Sequence, residues 1–113
     1  MNRTLRISLA AALFLSALPA LADKGAERLW KAKCGSCHGK DGKGETEEGK
    51  KLKVQDYTTA AWQKSRTDPQ LTKSINEGLK DKAGTEVMKG YADLGADKVA
   101  ELVAYVRGFA PAK

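Results

Sequence analysis

Two cysteines and the chain's single histidine fall within five residues, Cys34-Gly35-Ser36-Cys37-His38. Thiols three residues apart lie on one side of a helical turn, and an imidazole four beyond the first thiol shares that side. A C-x-x-C-H string of this kind attaches a c-type haem: the thiols of Cys34 and Cys37 add to the porphyrin vinyl groups, and His38 ligates the iron. Other uses of the same residues fit less well. A thioredoxin-type dithiol needs strands alternating with helices, and the chain offers no β-branched runs to build them. A structural zinc needs four ligands where three are present, with His38 adjacent to Cys37 and badly placed to close a tetrahedron. A Cys34–Cys37 disulfide would close too small a loop to constrain the unfolded chain much.

Iron held by His38 has a second axial position, and no other histidine exists to fill it. Met88 is the only methionine besides Met1 and falls in a segment of loop composition, so it is the expected distal ligand. The competing reading makes Met88 a core residue, with the sixth position empty or taken by Lys82 or Lys89. A His/Met pair in a dry pocket raises the haem potential and blocks oxygen. That is the behaviour of a one-electron carrier. Without a Ser-His or paired-carboxylate signature, hydrolytic chemistry is hard to assemble, and no catalytic residue is expected.

The elements that must position this string lie downstream of an export signal. Arg3 and Arg6 precede an apolar run from Ile7 to Leu18, and Pro19 leads into Ala20-Leu21-Ala22, an A-x-A cleavage site. Residues 1–22 therefore read as a signal peptide and residues 23–113 as one domain, located in the periplasm. The apolar stretch is too short to span a bilayer, and the mature chain has no membrane span. The whole chain carries 20 basic and 14 acidic side chains. Losing Arg3 and Arg6 leaves 18 against 14, or +4, with no dense basic block of the kind that binds nucleic acid. So small a domain usually needs a disulfide, a metal or a cofactor as reinforcement.

Helical spacing predicts a first helix from Lys24 to Cys34, capped by Asp23 and anchored by Trp30. Five glycines between Gly35 and Gly49 predict a loop. A second helix is expected over Asp56 to Ser65 with Trp62, and a third from Asp68-Pro69 to Gly78, with Leu71, Ile75 and Leu79 as its inner stripe. Residues 80–95 read as a loop, and Ala96 to Phe109 as a closing helix with Val99, Leu102, Val103 and Val106 on one side.

Residues 24–110 resemble a small class I cytochrome c. The resemblance rests on Cys34-Gly35-Ser36-Cys37-His38-Gly39 with Asp41-Gly42-Lys43-Gly44, on Met88, and on Leu102-Val103-Ala104-Tyr105-Val106-Arg107. It implies an all-α cytochrome c fold wrapped around one covalent haem c, with Cys34 and Cys37 as attachment points and His38 and Met88 as axial ligands. It also places Trp30 and Tyr105 where the first and last helices cross at the haem edge. Trp62 would lie against the haem, its N–H free for a propionate, or else anchor the core. No Pro follows the glycine loop to accept a hydrogen bond from His38, so that acceptor is unassigned. Alignment on the cysteines puts Ala26 where relatives place a crossing Gly.

The function implied is electron transfer by a monomer between redox proteins. Lys33, Lys40, Lys43, Lys50, Lys51, Lys53, Lys80, Lys82 and Lys89 would rim the haem and favour acidic docking surfaces. A haem-based ligand binder and an electron-entry subunit of a larger oxidoreductase are the alternatives.

Overall fold

Helices make up most of residues 19–112, which are the residues that the computed structural model describes, with side chains from Lys24 onward. The expected signal peptide lies outside the described residues as far as residue 18. Six helices are described in order: α1 (Pro19–Lys33), α2 (Gly35–His38), α3 (Glu47–Leu52), α4 (Ala60–Ser65), α5 (Asp68–Glu77) and α6 (Ala96–Arg107). Between α5 and α6 lie a two-stranded hairpin, β1 (Leu79–Lys80) and β2 (Glu86–Met88), and a 3-10 turn at Ala92–Leu94.

The core forms where the first and last helices meet. Val99, Leu102, Val103 and Val106 repeat at i, i+3, i+4 and i+7, and α6 buries all four. Each such side chain contributes about 1.5–3 kcal/mol when fully buried. From α1, Ala26 and Trp30 are 4% and 3% exposed, and the Trp30 ring lies 5.7 Å from Tyr105 and 5.3 Å from Phe109. Ala26 takes the small-residue place at this contact, whereas Gly25 faces open space.

Several boundaries differ from the pattern-based expectation. α1 begins at Pro19, so Asp23 sits inside the helix and does not cap it. Pro is tolerated in a first turn, and the following Ala-Leu-Ala extends the helix backward. Thr46 caps α3 within the expected glycine loop, its side chain accepting from the Gly49 N–H. Thr59, rather than Asp56, caps the shorter α4. α5 is capped by Thr67 through a reciprocal box with Gln70, which moves Asp68 and Pro69 into the first turn. Its C-terminus falls at Gly78 as expected, but Leu79 then enters β1 instead of the helix stripe and is 47% exposed.

Arg107 fastens α6 to the α4–α5 corner. Its guanidinium donates to the carbonyls of Gln63 and Arg66, to the Gln63 side-chain oxygen and to Asp68. The Asp68 side chain is 67% exposed, so that ion pair contributes little. The carbonyl bonds matter more. Arg107→Ala is expected to cost about 2 kcal/mol and to lower the melting temperature by roughly 10 °C. Asp68→Asn should move it far less, and thermal denaturation of both variants checks the ranking.

Candidate haem-binding site

The site begins with a four-residue helix that could not persist alone. The His38 N–H donates to the Cys34 carbonyl at 3.0 Å, which makes the Cys34–His38 segment one helical turn. The next carbonyls are each engaged from elsewhere. Cys37 O accepts from Thr46 Oγ1 (2.6 Å), His38 O from Gly44 N (2.8 Å) and Gly39 O from the Trp30 indole (2.8 Å). Two segments, α1 through Trp30 and the stretch from Gly44 to Thr46, thus satisfy the C-terminal end of α2, as a short helix requires. Gly49 is part of this fit, because a Cβ there would run into the Cys37 and Gly44 carbonyls.

The hairpin brings in Met88. Leu79 pairs with Met88, and Lys80 pairs with Glu86. The Asp81 carboxylate closes the turn by accepting from the Ala83 and Thr85 N–H groups. Met88 therefore projects from a strand, not from the loop expected over residues 80–95; two- and three-residue strands are too short to show a period-2 pattern. Gly78, at φ +73°, lies so close to the strand that a Cβ would strike the Met88 carbonyl. Farther on, the Tyr91 N–H donates to Ile75 O (2.7 Å) and its hydroxyl to Lys33 O (3.1 Å), tying the hairpin to α5 and α1.

Between these elements lies a cleft of about 430 Å³. Cys34, Cys37, His38 and Trp30 line it, together with Leu79, Val87 and Met88 of the hairpin and Leu71 and Ile75 of α5. Trp62 also faces the cleft, but its indole N–H is already given to the Gln55 side-chain oxygen (2.7 Å). Tyr105 packs on Trp30 at the crossing of α1 and α6, with ring centroids 5.7 Å apart, and of the two only Trp30 lines the cleft. Tyr57 was not singled out from the sequence, yet it lines the cleft and stacks on both His38 and Trp62. Its position between a turn and α4 left no periodic signal.

The electrostatics suit a metal ligand. Burial holds the His38 imidazole below its usual value, which favours the neutral ring whose lone pair can bind iron. Burial, aided by Cys37, pushes the Cys34 thiol up to about 11, and burial pushes the Tyr57 phenol up to about 12. At His38 the Nδ1 atom is buried without a hydrogen-bond partner, in keeping with the missing acceptor after the glycine loop. Two thiols on one turn, a neutral imidazole, a thioether lining the same cleft and apolar walls fit a covalent haem. Among the described residues no group of three or more His, Cys, Asp or Glu side chains is placed to hold a bare metal ion.

Residues 21–106 match the family described as cytochrome c oxidase, cbb3-type, subunit III. Three solved chains also match. One of them, described as KustC0563 c-type cytochrome, is 31% identical and superposes with a TM-score of 0.66 over 76% of this chain and 98% of that one. No curated protein matches.

Proposed function

Because the chain belongs to this family of c-type cytochrome domains, carries haem c and serves haem-based electron transfer, we propose that it is an exported one-electron carrier between redox proteins in the periplasm. The single observation that carries the reading is the cleft itself, which Cys34, Cys37, His38 and Met88 line together with apolar side chains. When bound, the haem supplies a one-electron iron couple. Cys34 and Cys37 hold it covalently. His38, kept neutral by burial, and Met88 would supply the ligands to its iron. Trp30, Trp62 and Leu71 keep water from the iron, which favours the less charged ferrous form. A saturated coordination shell leaves small gases no position, in keeping with a carrier and not a catalyst.

Export rests on the signal-peptide pattern of residues 1–22, with cleavage after Ala22. Among the described residues no helix is long and apolar enough to cross a membrane. Lys33, Lys53 and Lys89 stand at the cleft, and the other six lysines of the expected rim are exposed. Such a basic surface suits acidic docking sites, with association rates that fall as salt rises.

A second reading, an electron-entry subunit working in a fixed complex, is favoured by the matched family's description as an oxidase subunit. Co-purification in constant stoichiometry would support it. The carrier reading is tested by the visible spectrum of the haem-loaded mature protein, oxidised, reduced, and reduced under carbon monoxide. A low-spin spectrum unmoved by the gas is expected; a high-spin or gas-shifted spectrum would mean an open iron and a ligand-binding role.

A further inference from the structure

We propose that Tyr57 is the positioning residue for His38, holding the imidazole by ring stacking where a hydrogen bond at Nδ1 would ordinarily hold it; this rests on His38 being an iron ligand. Ligating histidines generally donate their second ring N–H to a carboxylate, carbonyl or water, which fixes the ring plane and raises its basicity. His38 Nδ1 is buried and has no such partner. The carbonyls of residues 37–39 are engaged by Thr46, Gly44 and Trp30. What surrounds the imidazole is aromatic. Tyr57 stacks on it with centroids 5.0 Å apart and planes 27° apart, and Trp30 lies tilted beside it at 5.6 Å. Trp30 and Tyr57 are themselves 6.4 Å apart, so the three rings form a closed triangle.

Tyr57 is itself held firmly enough to serve. Its N–H donates to Gly42 O (2.8 Å), its carbonyl accepts from the Gln63 amide (2.8 Å), and its ring stacks on Trp62 at 4.0 Å. Gln63 in turn receives the Arg107 guanidinium, so the last helix braces the stack from behind. A flat ring held at stacking distance restricts rotation of its neighbour without adding electron density to it as a hydrogen bond from Nδ1 would. His38 held this way is a less basic ligand than one with a carbonyl acceptor, which favours ferrous iron.

The test uses the haem-loaded protein. In the reduced, unmodified protein, nitrogen-resolved NMR is expected to show His38 ring protons shifted by the haem, in dipolar contact with the Tyr57 ring, and an Nδ1 signal of the unbonded type. A hydrogen-bonded Nδ1 signal would overturn the proposal. In the ferric protein, Tyr57→Phe keeps the ring and should leave the low-spin g values unchanged. Tyr57→Leu fills the space and excludes water but lacks a flat face, and should shift and broaden them; parental g values in Tyr57→Leu would also overturn it. Should Tyr57→Leu fail to load haem, the NMR of the unmodified protein decides. His38 protons without any haem-induced shift would instead defeat the ligand assignment, a distinguishable failure.

Discussion

His38→Ala is expected to abolish stable haem-loaded protein even though both cysteines remain. The side chain is 9% exposed and is the chain's only histidine, so no neighbouring imidazole can substitute. Its loss removes an iron bond and also opens a gap between Trp30 and Tyr57, two rings that close the floor of the cleft. Mutations merely adjacent to metal ligands cost about 10–100-fold in affinity, so loss of the ligand should lower the haem-loaded yield by at least about tenfold. Haem-stained gels and the ratio of Soret to protein absorbance read this directly. Normal incorporation in the variant would contradict the proximal assignment. Added imidazole is expected to restore part of the low-spin spectrum, because the gap matches the lost ring.

Met88→Ala acts on the hairpin and is expected to spare attachment. The hairpin backbone is held by its own pairing, by the Asp81 turn and by Tyr91, none of which needs the thioether. Haem should therefore stay bound while the sixth position opens, carbon monoxide binds, and the midpoint potential falls. Axial ligands set haem potentials over ~0.8 V, and loss of a thioether is expected to account for a drop on the order of 0.1 V. Potentiometric titration with and without the gas checks both parts. An unchanged low-spin spectrum would remove Met88 from the coordination and direct attention to Lys89, which also lines the cleft. Lys82, at the exposed hairpin turn, does not line it.

Patterns one turn long were legible in the sequence, and so were the strongly periodic helices. α6 follows its i, i+3, i+4, i+7 stripe closely, and α5 ends at the expected glycine. The caps were less legible because Thr and Asp stand side by side at the start of α5, and only the reciprocal bond with Gln70 selects Thr67. The hairpin escaped notice for a related reason. Its turn is made by one aspartate reaching two N–H groups, and its strands are too short for alternation to stand out. Tyr105 meets Trp30 at the helix crossing that the family resemblance implies, and of the two only Trp30 lines the cleft.

By itself the sequence determined the cofactor class, because haem attachment depends on which atoms lie within a single turn, and Cys34, Cys37 and His38 are joined by local backbone. It also narrowed the distal candidates, since Met88 is the only methionine besides Met1. The tertiary structure alone decided what surrounds the imidazole. Tyr57 reaches His38 only because Gly42, Gln63 and Arg107 hold its segment there, across sequence separations of up to 50 residues. Such contacts arise from packing and hydrogen bonds between distant segments, whose free energies appear only once the loops between them have closed. The same is true of Nδ1, whose lack of an acceptor is a property of the folded surroundings and not of any residue near it in the chain.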